Sequence, residues 1–177
     1  MTHEDTRNLI DRFKNKDVNE IVGELDRTAH SLEIAIENLE RDFNMGTIVR
    51  SANAFGIRRV HIIGRRQWNK RGAMMTDKYL TVIYHKSVND FVQYADVNNR
   101  TIVAIDNVAG ATNLSTSDMD DRSILVFGSE SSGISDELLR NAESILEIEQ
   151  FGSTRSINVG VAAGIVMYEW LRRHKLT

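Results

Sequence analysis

Three short stretches of this chain hold residue types whose spacing suits chemistry. In FNMGTIVRSANAFG, residues 43–56, a single cation, Arg50, stands among Ile48, Val49, Ala52 and Ala54, behind Asn44 and Gly46. A guanidinium is a cation with a planar fork of donors, so it suits clamping a phosphate or stabilising a developing oxyanion. In FGSESSGIS, residues 127–135, Gly128, Glu130 and Gly133 follow the apolar run SILVF. Glycines there let a backbone approach a ligand where a Cβ would block it. In IEQFGSTRSINVGVA, residues 148–162, Ser156 and Asn158 offer donors and acceptors just ahead of a small-residue helix. Each stretch also has a plain structural reading. Asn44 reads as an N-cap, Arg50 as a solvated charge, the glycine loop as a turn and NVGVAAG as a packing surface. No P-loop and no G-x-G-x-x-G after a strand is present.

A fourth feature is electrostatic. The net charge is −3, from 22 basic and 25 acidic residues, yet Arg58, Arg59, Arg65, Arg66, Lys70 and Arg71 fall within fourteen positions without one acidic neighbour. The remaining 16 basic residues face all 25 acidic ones, so the rest of the chain carries −9. Such segregation points to a polyanion site. Trp68 inside this segment reads either as a stacking surface for an unpaired base or as an anchor to the core.

The elements that must position these residues follow from periodicity. Residues 1–28 predict a polar helical segment, and SLEIAIENL (31–39) alternates Leu32, Ile34 and Ile36 with Glu33, Ala35 and Glu37 as a strand does. A helix over 43–56 comes next, then strands at RRVHIIG (58–64) and LTVIYH (80–85) and a helix at SVNDFVQYADV (87–97). TIVAID (101–106) and SILVFG (123–128) read as buried parallel strands, SDELLRNAE (135–143) as a helix, SILEIE (144–149) as a strand and 156–175 as a closing helix. The alternation predicts one α/β domain with a mostly parallel sheet flanked by helices. In such sheets ligands bind where strand C-termini open into loops, which is where all three stretches fall. The 177 residues, 41% hydrophobic and 27% charged, contain no apolar run of membrane-spanning length and no cysteine. Thiolate nucleophiles and Cys-ligated zinc are excluded, and the opening MTHEDTRNLIDRFK is not patterned as a secretory signal. Cytoplasmic residence is the default expectation. Proline is absent from the chain, and we have no physical account of that.

In order and spacing the three stretches resemble the SpoU/TrmH-type RNA ribose methyltransferases of the SPOUT superfamily. The first family motif matches Asn44, Gly46, Arg50 and Phe55-Gly56; the second matches Phe127, Gly128, Glu130 and Gly133. The third matches Ile148, Gly152, Ser156, Ile157, Asn158, Val159, Val161 and Ala162. Two departures stand out: Glu149 replaces the proline expected after Ile148, and Gly160 replaces a serine. Without the proline, φ at that point of the loop is not fixed by the sequence.

The resemblance implies a fold whose C-terminal portion threads a deep trefoil knot. Residues 30–173 would be the knotted catalytic core and 1–28 an N-terminal extension of one domain. It implies S-adenosylmethionine as cofactor, without a metal, held by loops at Ile105, Gly128, Ile148, Ser156 and Ile157. Arg50 takes the central catalytic role, with Asn44, Glu130, Ser156 and Asn158 around it. Arg58, Arg65, Arg66, Trp68, Lys70 and Arg71 would bind RNA, either tRNA or rRNA, at a ribose 2′-hydroxyl. The resemblance also implies a homodimer, for which Val161, Ala162, Ile165, Val166 and Trp170 of the last helix offer an apolar face. The rival reading is a non-catalytic RNA-binding protein that keeps the fold.

Overall fold

The computed structural model describes residues 5–38, 44–129 and 131–176. Seven strands form one sheet: β1 (Glu33–Asn38), β2 (Arg59–Gly64), β3 (Thr81–His85), β4 (Thr101–Ile105), β5 (Thr112–Asn113), β6 (Ser123–Phe127) and β7 (Ser144–Glu147). Their order across the sheet is β3-β2-β1-β6-β4-β7-β5, and every pairing is parallel. The expected mostly parallel sheet is thus parallel throughout the described strands. Only the two-residue β5 was not foreseen, because so short a run carries no period.

Helices cover both faces, as parallel sheets require. On one face α2 (Met45–Ala54) and α5 (Val159–His174) pack over Ile34, Ile36, Val60, Ile62, Leu125 and Phe127, with Trp170 fully buried among them. On the other, α3 (Val88–Val97) and α4 (Asp136–Asn141) cover Ala35, Ile63, Ala104, Ile124 and Val126. Among the described residues no helix is long and apolar enough to cross a membrane.

The N-terminal segment is less helical than its polarity suggests. A 3-10 turn at Asp11–Phe13 precedes α1 (Val18–Arg27), which starts at a capping box between Asp17 and Glu20. Residues 1–4 lie outside the described residues. Phe13 and Ile21 bury themselves with Tyr79 in a small satellite core.

Strand β1 holds the main surprise for sequence reading. Its glutamates alternate with apolar residues as in a strand wet on one side, but all six residues are buried. A buried carboxylate needs partners. Glu33 has four: Arg100 at 2.7 Å, His61 at 2.9 Å, Tyr94 at 3.2 Å and Arg59 at 3.3 Å. His61 in turn meets His85 Nε2 through Nδ1 at 2.9 Å. Glu37 accepts the backbone N–H of Ser135 at 2.7 Å and so ties β1 to the start of α4.

Because all strands run the same way, the segments after β1, β2, β4, β6 and β7 leave from one edge of the sheet. That edge gathers the motif loops and the basic residues that follow β2, Arg65 to Arg71, while Arg58 and Arg59 stand at the opposite end of that strand. β2 lies two strands from β6 and three from β4, so their ends are roughly 10–15 Å apart at about 4.8 Å per strand.

Candidate active site

The loop after β6 is shaped by two glycines. A Cβ on Gly128 would meet the carbonyl of Gly133 at 2.2 Å and Ile134 N at 2.5 Å. Gly133 has φ +67° and lies against the Asp106 carboxylate, where a Cβ would come within 2.7 Å of Oδ2. Between them Ser129 and Gly133 exchange backbone hydrogen bonds of 3.0 and 3.1 Å, folding the loop on itself. Glu130 lies outside the described residues.

Three side-chain bonds then join loops far apart in sequence. Asp106, directly after β4, accepts from Ile134 N at 2.9 Å. Asn107 donates its Nδ2 to the carbonyl of Arg155 at 2.6 Å. Asn158 donates its Nδ2 to Asn44 Oδ1 at 3.0 Å. The other end of the Asn158 amide caps α5, accepting from Gly160 N at 3.0 Å and Val161 N at 3.2 Å. Asn44 stands at the start of α2 without making a side-chain cap there, and its oxygen serves the link to Asn158 instead.

Between these loops lies a cavity of about 1010 Å³. Its walls include Ile105, Gly128, Ile148, Ser156 and Ile157, every residue for which the motifs suggest a cofactor contact, together with Asn158. Asp106, Asn107 and Arg155 line it as well and were not singled out from the sequence. The cue was present, since an Asp-Asn pair directly follows a buried parallel strand, but its partners are 28 and 48 residues away. The wall combines apolar Ile105, Ile148 and Ile157, which suit an aromatic ring, with hydroxyl, amide and guanidinium groups suited to a ribose and an amino-acid end. Gly128 admits no Cβ because the Gly133–Ile134 peptide packs on it, so the loop stays folded tightly along the cavity wall. These residues fit S-adenosylmethionine. Among the described residues no group of three or more potential metal ligands is present.

Arg50 is not part of that wall. It stands exposed on α2, and among the described residues no hydrogen bond or ion pair engages it. α2 is pinned beside the cavity at two points. Gly160 of α5 faces Thr47, where a Cβ would lie 3.1 Å from Thr47 Cγ2 and 3.1 Å from Asn158 Oδ1. Close approach of the two helices therefore favours glycine where the family has serine. Gly46 backs onto Gly72 and Ala73, with a Cβ held to 2.6 Å from Ala73 N. The second departure is also accounted for. Glu149 accepts hydrogen bonds from Ser115 Oγ and, at 3.3 Å, from Ser115 N. The loop is thus tied through a side chain where a proline would have stiffened it. The hydrogen bonds from Ser115 hold the Glu149 carboxyl below its ordinary range.

The basic segment is positioned by Asn38, buried at the end of β1. Its Nδ2 donates to the carbonyls of Arg65 at 2.6 Å and Gln67 at 3.0 Å, and its own carbonyl accepts from Arg65 N at 3.1 Å. Arg65, Arg66, Lys70 and Arg71 are exposed. Lys70 pairs with Asp77 at 2.7 Å, an interaction that raises its pKa. Two expectations are corrected here. Arg58 is 5% exposed and pairs through Nε with Asp26 of α1 at 2.9 Å, so it is not available to a phosphate. Trp68 is half-buried with its ring against the main core, which makes it the loop's anchor in place of a free stacking surface. The last helix needs a similar correction. Val166 and Trp170 are fully buried within the chain, and the exposed apolar face runs through Val161, Ile165 and Tyr168.

Comparison with known proteins agrees with this geometry. The model of the SpoU rRNA Methylase family matches residues 31–168. The tRNA (guanosine(18)-2′-O)-methyltransferase of Escherichia coli (strain K12) is 25% identical over 154 residues, 85% of this chain and 67% of that one. An uncharacterized tRNA/rRNA methyltransferase of Mycolicibacterium gilvum is 32% identical over 84% of this chain, which spans 49% of that relative's length. Among solved structures, the A. aeolicus TrmH/SpoU tRNA modifying enzyme superposes with a TM-score of 0.77 at 22% identity, covering 90% of this chain and 85% of that one, a likeness of fold. The AdoMet-bound rRNA methyltransferase from Sinorhizobium meliloti does so with a TM-score of 0.72 at 25% identity, covering 84% and 60%. With the family pattern matched over most of its length and the motif loops closed on one cavity, the chain belongs to the SpoU rRNA Methylase family.

Proposed function

We propose that the protein is an S-adenosylmethionine-dependent methyltransferase acting on a ribose 2′-hydroxyl of tRNA or rRNA. One observation supports this above the others. The loops after β4, β6 and β7 line a single cavity, and the Asn44–Asn158 bond fastens the helix that carries Arg50 to its rim. The relatives named as tRNA and rRNA methyltransferases, one with AdoMet bound, support the same reading.

When bound, S-adenosylmethionine supplies an electrophilic methyl group, so the chain's own work is to align the acceptor and ease loss of its proton. Ile105, Ile148 and Ile157 hold the apolar part of the cofactor, and the Gly128 loop holds it through main-chain groups. Arg50 engages the phosphate beside the target nucleotide and stabilises the developing alkoxide through its guanidinium. Literal proton abstraction by Arg50 is the weaker reading, because a guanidinium is a poor proton acceptor while clamping and charge stabilisation ask nothing unusual of it. Ser156 stands at the cavity wall as donor or acceptor, while Asn44 and Asn158 position the two helices. Glu130 belongs to the same constellation by its place in the motif. Arg65, Arg66, Lys70 and Arg71 neutralise RNA phosphates, so binding should weaken steeply with salt.

Residues 30–173 are read as the catalytic core and 1–28 as its extension. A deep trefoil knot is characteristic of the family, and the segments tied through Asp106, Asn107 and Asn158 are those that would form it. The exposed stripe of Val161, Ile165 and Tyr168, beside an open groove of about 610 Å³, supports a homodimer. Incubating the protein with methyl-labelled S-adenosylmethionine and unmodified tRNA or rRNA tests the reading. Label in RNA is expected; saturable RNA binding without label would leave the non-catalytic rival.

A further inference from the structure

The turn between the basic segment and β3 contains two consecutive methionines that the function above leaves unused. Met74 and Met75 both adopt the left-handed region, with φ of +47° and +62°. Side chains with a Cβ rarely enter that region, and two in succession need support from their surroundings. Burial does not supply it, since the two residues are 55% and 68% exposed. The chain is instead held on both sides. Before the turn, Gly72 is seated on α2, where a Cβ would lie 2.9 Å from Thr47 N. After it, buried Thr76 donates its hydroxyl to the carbonyl of Ala73 at 2.6 Å, and Tyr79 is locked in the satellite core with Phe13 and Ile21. The turn is a rigid mount for two flexible, polarisable side chains facing water.

Its neighbours indicate what it meets. Lys70 and Arg71 immediately precede it and Arg65 and Arg66 rise from the same segment, all four exposed. Arg66 lies 4.8 Å from the centre of the exposed Tyr84 ring. Met74 and Met75 follow Arg71 by three and four positions, so a polyanion held by those cations would lie close to them. A polarisable thioether amid phosphate-binding cations is suited to packing against the ring of an unpaired base. Chain geometry puts Met74 within about 20 Å of Arg50, through Gly72 against Gly46 and one helical turn.

We propose that Met74 and Met75 form an RNA-contact element that packs against an unpaired base near the nucleotide to be methylated. The proposal rests on the RNA methyltransferase reading above and adds to it a preference for unpaired RNA. Glycine relieves the left-handed strain, so Met74→Gly/Met75→Gly removes both side chains without threatening the fold. The test measures the dissociation constants of wild type, this variant, Met74→Leu/Met75→Leu and Arg65→Ala/Arg66→Ala for a hairpin with an unpaired loop and for a blunt duplex, across a salt series. The glycine variant should bind the hairpin about ten-fold more weakly, with the duplex affinity and the salt slope unchanged, and leucine should restore most of the loss. The arginine variant should weaken both RNAs and flatten the slope. Equal losses for hairpin and duplex, or wild-type hairpin affinity in the glycine variant while the arginine variant is impaired, would overturn the proposal and leave the RNA reading standing. No RNA binding by wild type at low salt would remove the reading beneath it. Capture of a protein through the methionines with hairpin binding intact would make the turn a protein surface and overturn the proposal as well.

Discussion

Arg50 combines exposure with a fixed mount, so its substitution separates chemistry from stability. Arg50→Ala should lower kcat at least about a hundred-fold, while the unfolding free energy changes by no more than about 0.5 kcal/mol. Single-turnover methyl transfer and urea unfolding measure the two quantities. Arg50→Lys keeps the charge but loses the planar fork, and an intermediate rate is expected. Rates near wild type for Arg50→Ala would remove Arg50 from the chemistry. At this scale the sequence was informative about placement for Gly128, Ser156 and Asn158, whose separate motifs the structure brings to one cavity. It was misleading where a distant element supplied the partner. Arg58 reads as one more cation of a basic run, and only the fold brings Asp26 of α1 to it across 32 residues. Glu33 reads as a solvent-facing alternation, and only the sheet order surrounds it with His61, Tyr94 and Arg100.

The elements that hold the site divide their work in ways that substitutions can separate. Asn158 caps α5 with its oxygen and holds Asn44 with its nitrogen. Asn158→Ser retains a capping oxygen yet is too short to reach Asn44. It should keep the melting temperature and lower kcat, whereas Asn158→Ala should lose both, at about 1 kcal/mol for the cap. The loop after β6 has less tolerance. Gly128→Ala sets a methyl 2.2 Å from the Gly133 carbonyl, which must open the loop. A stability loss of about 2 kcal/mol or more and abolished S-adenosylmethionine binding are expected in calorimetry. Wild-type affinity in that variant would contradict the placement of the cofactor. Strands β1–β4, β6 and β7 and helices α2–α5 were legible because their hydrophobic periods are long and their stops are marked. Helix α5 begins three residues later than its composition suggests, since Asn158 ends the preceding loop by capping. The N-terminal segment was over-read as helix because polar, proline-free sequence gives no stop signal. The Asp-Asn pair after β4 was a local cue, but it gives no sign of its bonding partners 28 and 48 residues away.

At the scale of the whole molecule, the buried polar chain Glu33–His61–His85 links stability to pH. Burial and the neighbouring His61 charge lower the His85 pKa from its ordinary 6.5, so the folded state binds that proton less readily than the unfolded one. Stability from this group is complete above pH 6.5 and declines as pH falls toward the folded value. Burial alone would raise the Glu33 pKa, but hydrogen bonding to His61 and the charges of His61, Arg100 and Arg59 outweigh it and hold it below 4.5. Its contribution is lost in a second, more acidic step. His85→Gln keeps a hydrogen-bonding amide toward His61 but cannot titrate, and should flatten the decline in unfolding free energy between pH 7 and 5; an unchanged slope would contradict the assignment. The dimer proposed through Val161, Ile165 and Tyr168 predicts that Ile165→Asp sediments as a monomer where wild type does not. The surface proposed for the dimer was only partly readable from the sequence, because the apolar residues of α5 divide between its own core and its surface according to a packing that periodicity alone did not settle. The central claim is ribose methylation, and nucleoside mass spectrometry of RNA treated with the protein and S-adenosylmethionine tests it most directly. A 2′-O-methylated nucleoside present with wild type and missing with Arg50→Ala is the predicted result. Methylation on a base, or no methylated nucleoside from any tRNA or rRNA offered, would contradict it.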